Sequence, residues 1–374
     1  MSKINSAESI RGLACLAVVF SHLVLTFAPL LHNNIQTDLQ KMSNVESAIY
    51  HSPFNFWYSG SAAVFIFFVL SGYILSYAIL SKSDIKKKLI SMSLKRFPRL
   101  AIPALVSCVL AWIVTSFIDV NMSNISRWMA TYGQDPFTFF DALYQGTIGA
   151  FIFGSVPLNG VLWTMQIELF GSFILFFLLY LYNINKKLFF IFSAILPIPT
   201  IIISSQFCFG IYSFIIGIYL FLYGNKLSKH LTIPALIIGL YFAGVHNFSH
   251  SYNFFIDILG SKSYTLLNII AGPLIVFGVL MNTKISNALD KKPLIYLGKL
   301  SFSIYLLHLV IIYSIGIPTF NFLLTTNVSE FSNIILSSTL IIFLTLIFSH
   351  FYSEYIDALS IKVGNKIESF VFKK

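Results

Sequence analysis

Residues 10–31 read IRGLACLAVVFSHLVLTFAPLL, an apolar span interrupted by one arginine and one histidine. About 20 such residues match the hydrocarbon thickness of a bilayer, so the stretch reads as a membrane-crossing helix. Arg11 and His22 are eleven positions apart. That separation is about three helical turns, which puts both side chains on one face about 16 Å apart. A histidine facing lipid halfway along a helix is poorly solvated, so His22 is expected to face a bundle interior or a wet cavity. Neutral imidazole accepts a proton near physiological pH, which suits a general base. A histidine that only hydrogen-bonds a neighbouring helix meets the same constraint, and the rest of the chain must separate the two.

The composition places the whole chain in the membrane. Of its 374 residues 57% are hydrophobic and only 10% charged, with a mean hydropathy of +0.81, against about 25% charged residues in a soluble domain. The apolar runs are near the helical span length, whereas outer-membrane strands are about 10 residues long with strict alternation. The fold class expected is therefore an all-α membrane protein. No small-residue cleavage site follows the first span, which reads as a retained helix and not a signal peptide. Cys15, Cys108 and Cys208 lie inside apolar spans and have neither a disulfide framework nor metal-ligand spacing. They read as small core residues, and no metal is expected.

A net charge of +10 would point to nucleic acid in a soluble protein; here it reports topology. Ten spans are expected, at 10–31, 59–80, 100–118, 160–182, 188–204, 207–224, 231–246, 265–282, 300–317 and 332–352. An even count puts both termini on one side, together with 21 of the Lys and Arg residues, against Lys41, Arg127 and Lys262 opposite. The positive-inside rule makes that side cytoplasmic. The expected organisation is a transmembrane unit over 1–353 and a cytoplasmic tail over 354–374, with membrane lipids but no nucleic acid as surroundings.

Several polar residues stand out against this apolar background. The second span holds FFVLSG, whose Ser71-Gly72 pair permits close helix approach. At the mouth of the third span, KRFPRL sets Arg96 and Arg99 one turn apart, a spacing that lets two guanidiniums grip phosphates. A nucleotide-bearing cosubstrate and an anionic lipid headgroup satisfy that pair equally. The long outward segment 119–159 contains Trp128, Asp135 and Asp141. Its apolar centre, GTIGAFIFGSVP, is too short to span and is expected to be re-entrant or to lie along the membrane. Glu168 sits about two turns inside the fourth span, where a carboxylate is a functional candidate by default. Ser301, Tyr305 and His308 share one stripe of the ninth span. His32, His51, His246 and His250 read as loop histidines, and spans five to eight as scaffold.

Taken together, these pieces resemble the acyltransferase-3 family of membrane O-acyltransferases. The opening SIRGLACLAVVFSH is similar to the family's Arg-x10-His start, and FFVLSGYIL, KRFPRLAIP, LWTMQIELF and LGKLSFSIYLLH follow in order, with weaker agreement in FYSEYID. Glu8 stands where the family often has Asp, and Asp357-Ala358 where Glu-Pro is common. The resemblance implies a ten-helix enzyme of a bacterial inner membrane. Such an enzyme takes an acyl group, usually acetyl, from cytoplasmic acetyl-CoA or another acyl-CoA. It passes the group to a hydroxyl of a cell-envelope polysaccharide or lipid-linked sugar. It further implies that Arg11 and His22 form an essential pair, that Arg96 and Arg99 contact the coenzyme phosphates, and that Glu168 lies near the acceptor. On that reading His22 deprotonates the acceptor directly or is itself acylated, and Ser71, Tyr305 or His308 donates to the developing oxyanion. A secondary transporter is the main alternative, although neither inverted repeats nor matched broken helices are evident.

Overall fold

In lipid a chain must satisfy its backbone hydrogen bonds within its own segments, and apolar runs of this length do so as helices. The computed structural model describes residues 2–32 and 41–372, with side chains from Ile4 onward. Residues 33–40 of the first outward loop, and Lys3, Lys373 and Lys374 of the charge count, lie outside this description. Among the described residues there is no strand. The α-helices in chain order are α1 (Ser2–Phe27), α2 (Asn44–Tyr50), α3 (Gly60–Leu80), α4 (Ile85–Phe117), α5 (Arg127–Ala130), α6 (Phe139–Tyr144), α7 (Thr164–Ile184), α8 (Lys186–Ile195) and α9 (Ser205–Tyr223). They continue as α10 (Thr232–Ala243), α11 (Asn253–Leu259), α12 (Ser263–Leu280), α13 (Thr283–Leu289), α14 (Lys292–Ile311), α15 (Ile317–Leu324), α16 (Glu330–Tyr352) and α17 (Ala358–Phe372).

Among the described residues, eight helical stretches are long and apolar enough to cross a membrane: Ile4–Phe27, Gly60–Leu80, Ile85–Phe117, Phe139–Ile184, Ser205–Lys226, His250–Leu280, Lys292–Leu324 and Glu330–Phe372. The expected spans 188–204 and 231–246 are shorter helices. Pro197 and Pro199 lack the N–H a helix interior needs, so α8 stops after 10 residues and gives way to a 3-10 turn at Ile198–Ile202. α10 has 12 residues and ends at Gly244. The basic stretch before the third span is helical too. Asp84 caps it by accepting from the Lys87 N–H, and α4 runs on for 33 residues through Pro98 and Pro103.

Two backbone contacts set the arrangement. A Cβ at Gly298 of α14 would sit 2.0 Å from the Glu8 carbonyl oxygen of α1, far inside van der Waals contact. Only glycine permits this approach. Farther along, His22 meets His308, so α1 and α14 run side by side in the same direction. On the other side of the bundle, a Cβ at Gly72 of α3 would fall 2.1 Å from the Phe214 carbonyl oxygen of α9. The close approach expected of Ser71-Gly72 is thus made against α9.

Residues 145–153 descend alongside α4, with Gly146 against Leu105 and Phe151 against Phe97. The chain reverses at Gly154, whose φ of 63° is the left-handed region that favours glycine. It then climbs through a short 3-10 segment, Pro157–Trp163, before α7 starts. The expected re-entrant segment is therefore a dip that lets α7 begin inside the bundle. The tail is the helix α17, which leans back on α4 through the Lys95–Glu368 ion pair and a hydrogen bond from Ser91 to Glu368.

At the far end of the bundle from Glu8, the loops before α3 and after α10 meet at His51 and His250. Their rings stack at 4.1 Å, and the His250 N–H donates to His51 Nδ1 at 3.2 Å. Burial, and then the proximity of His250, holds His51 below the usual imidazole range. A pKa lowered by folding means that the unfolded chain takes the proton first. The contribution of this junction is therefore constant above about pH 6.5 and lost as pH falls below it. Hydrogen exchange of residues 44–58 at pH 7.5 and pH 5 is expected to show lower protection at pH 5. Equal protection would contradict this account.

Candidate active site

Arg11 and His22 lie on one helix face, and their environments differ. His22 Nδ1 is 2.7 Å from Nε2 of His308, and the two rings are parallel within 10°. His308 is fully buried, with its own Nδ1 3.0 Å from the Ile304 carbonyl oxygen. A carbonyl only accepts, so His308 Nδ1 carries the hydrogen, and in a neutral ring its Nε2 is then a lone pair. His22 Nδ1 must donate to that lone pair. The network thus assigns the tautomer of His22 and leaves its Nε2 as the basic nitrogen.

On its other side His22 stacks on Trp128 of α5, with centroids 5.0 Å apart and planes 28° from parallel. α5 is short but anchored. The Ser126 N–H donates to the Thr26 carbonyl of α1 at 3.3 Å, the Ser126 side chain caps the Met129 N–H, and the Met129 side chain is buried.

One turn below His308, the Tyr305 hydroxyl donates to the Val161 carbonyl at 2.5 Å and shares a 2.9 Å hydrogen bond with Thr164 at the start of α7. Ser301 returns its hydroxyl to the Gly298 carbonyl of its own helix. Asn159, wholly buried in the 3-10 segment, donates to the Leu306 carbonyl and to Ser107. The 3-10 segment thereby docks the α7 entrance onto the polar stripe of α14.

Glu168, one turn further along α7, is the centre of a second cluster. Its Oε1 accepts from Arg96 Nη2 at 2.5 Å and from Ser71 Oγ at 2.8 Å, while Arg96 Nε donates to Ser172 Oγ at 2.7 Å. Both side chains of the ion pair are largely buried, at 12% and 15% exposure. Arg11, paired with Glu8 at 3.0 Å, and Arg99 are close enough to act on Arg96 electrostatically. Arg99 itself is exposed, and Asp357 lies within its field. The two arginines of KRFPRL therefore split: Arg96 turns inward onto the carboxylate and Arg99 stays at the surface. Tyr305 bonds to Thr164, one turn before Glu168 on α7, and its ring centroid lies 6.1 Å from that of His308.

His246 and His250 do not converge. His246 shares a 2.9 Å hydrogen bond with Tyr58, and His250 stacks on His51. Sequence reasoning noted Trp128 without giving it a role and passed over Asn159, Thr164 and Ser172. A lone Trp in a polar loop and an Asn just ahead of an apolar span were the available signals, and neither names its partner.

The chain matches the profile of the acyltransferase-3 family, described as an acyltransferase domain, over residues 4–350. It belongs to this family. The protein is thus an integral membrane acyltransferase. The acyltransferase-3 match runs from α1 to near the end of α16 and includes every residue of the two clusters. Neither a curated protein nor a solved structure matches the chain.

Removing one partner of a largely buried ion pair leaves the other charge uncompensated, which costs about 3–5 kcal/mol. Glu168→Gln is expected to lower stability in detergent by about this amount, and the Arg96→Met/Glu168→Gln double variant to recover most of it. A double-mutant cycle on thermal unfolding reads the coupling. Simple additivity of the two single losses would remove the pair as a structural unit.

Proposed function

We propose that this acyltransferase moves an acetyl or short acyl group from a cytoplasmic acyl-CoA to a hydroxyl of an extracytoplasmic glycan or lipid-linked sugar. The charge distribution supports cytoplasmic termini, and with them a bacterial inner-membrane orientation that puts the arginine cluster inside and His22 toward the outer face. The observation that carries the reading is the His22–His308 pair. One imidazole is held by another with its free nitrogen directed away from the partner, the arrangement a general base requires. A carrier has no need of such a tautomer lock, and family membership likewise supports the enzyme over the transporter.

In this mechanism the acceptor hydroxyl gives its proton to His22 Nε2 as its oxygen attacks the thioester carbonyl. The acyl–oxygen bond forms and the acyl–sulfur bond breaks. The proton then passes from His22 to the departing thiolate, giving coenzyme A thiol. His308 stays neutral throughout and keeps the ring oriented by accepting from Nδ1–H. Arg99, exposed at the inner end, meets the coenzyme phosphates first, and Arg96 stands behind it with Glu168. The deep polar contacts of Ser71 and Tyr305 hold α3 and α14 against the α7 entrance.

A general base contributes about 10²–10⁴-fold to rate. His22→Ala is expected to lose transfer of radiolabelled acetyl to glycan by that factor or more with the protein still folded; full residual transfer would end the reading. His308→Ala should reduce kcat about 100-fold with little change in KM, and His308→Gln, whose amide oxygen still accepts from His22, should restore part of it. Equal loss in both His308 variants would mean packing and not orientation.

A charge-assisted contact is worth about 1.5–3 kcal/mol. On that scale Arg99→Ala is expected to raise the KM for acyl-CoA about tenfold or more while sparing kcat. An unchanged KM would show that the phosphates bind elsewhere.

A further inference from the structure

We infer that Trp128 is a stacking platform for a pyranose ring of the acceptor, an assignment that rests on the glycan reading above and adds the residue that receives the sugar. The indole lies against His22 with centroids 5.0 Å apart, yet 41% of its surface is open. The open part of the indole is available to a ligand that approaches His22.

The ring is also held in place. Ser126 ties the α5 segment to the Thr26 carbonyl, Met129 is 1% exposed beneath it, and the Thr26 hydroxyl donates to the His22 carbonyl at 2.7 Å. Platform and base therefore belong to one rigid unit.

The nearby rim has the chemistry of hydroxyl recognition. The exposed Asn124 and the half-buried Asn321 link the segment before α5 to α15, Asn124 donating to Asn321 Oδ1 at 3.3 Å and Asn321 donating to the Asn121 carbonyl at 2.7 Å. Asn321 follows Phe320, which stacks on Phe27 of α1 at 4.7 Å, so this lattice sits at the His22 end of the bundle. An amide offers two donors and an acceptor without charge, and the indole face attracts the weakly positive C–H face of a sugar. A lipid tail would not use the amides. A pyranose lying on the open part of Trp128 brings its edge hydroxyls beside the imidazole that is to deprotonate one of them.

The test uses the full chain in nanodiscs, with the methyl glycosides of glucose, galactose and N-acetylglucosamine as probes and acetyl-CoA as donor. The binding arm titrates each glycoside against tryptophan fluorescence in the wild type and in Trp128→Phe, which removes one of four tryptophans. A saturable change for at least one glycoside that vanishes in the variant is expected. No change with any glycoside, or a change that survives in the variant, would overturn the platform.

The transfer arm compares Trp128→Leu with the wild type. The expected result is a rise of about tenfold or more in acceptor KM with the acetyl-CoA KM unchanged, and Trp128→Phe within about threefold of wild type. A fall in kcat at constant acceptor KM would make Trp128 a support for His22 and overturn the proposal. If Trp128→Leu does not fold, the binding arm decides alone. A wild type that binds a glycoside through Trp128 yet never acetylates any glycan would end the functional reading and leave the sugar site standing.

Discussion

The missing side chain at Gly298 governs the geometry from which everything else follows. With Glu8 backbone packed where a Cβ would be, α1 and α14 touch along their main chains and are locked in register. That register carries His22 to within 2.7 Å of His308, 286 residues away in sequence. A methyl group at the contact would push the helices apart by an ångström or more, which exceeds the tolerance of a hydrogen bond between two rings. The small residue at one end thus sets the chemistry at the other. Parallel neighbours also put both polar stripes on one shared seam.

Beside that seam the molecule answers a problem that an apolar bundle poses to every polar group. Transfer of a charge out of water costs several kcal/mol after relaxation unless it is paired and hydrogen-bonded. Glu168 meets this with a guanidinium and a hydroxyl, and Arg96 with a carboxylate and a second hydroxyl. Tyr305 meets it with the Val161 carbonyl that the 3-10 segment presents. The 3-10 segment is able to offer that carbonyl only because the chain before it dips into the bundle and turns at Gly154. The re-entrant dip is therefore part of the support of the site and not a decoration on the loop.

How much of this was readable from residues depends on the range of the interaction. The face shared by Arg11 and His22, and the stripe of Ser301, Tyr305 and His308, follow from helical period alone, because both partners lie on one element. The membrane class follows from span length in the same way. What period does not carry is who faces whom. Arg96 and Arg99 read as a matched pair by spacing, yet Glu168, 72 positions from Arg96, draws one of them inward. Trp128 lies in a helix of 4 residues, too short to show a period, and its stack on His22 arises from an anchor through Ser126 that no local pattern announces. The shorter α8 is a different case. Its hydropathy is that of a span, and Pro197 and Pro199 cut it short through a missing donor that a hydropathy average does not register.

The use of histidine and not a carboxylate to orient His22 has a physical rationale. Many hydrolytic sites hold the basic imidazole with an aspartate, whose charge also stabilises the imidazolium. Here the orienting position is wholly buried in an apolar helix pair. A carboxylate placed there would need its own cation and several hydrogen bonds to remain ionised, and no such cation is among the partners of His308 in the structure. A neutral imidazole fixed by the Ile304 carbonyl supplies the same acceptor to His22 Nδ1 with no net charge to bury. It gives orientation without the electrostatic gain. On the proposed mechanism the imidazolium is then short-lived, since nothing beside it retains the proton, and the proton is readily released to the departing thiolate.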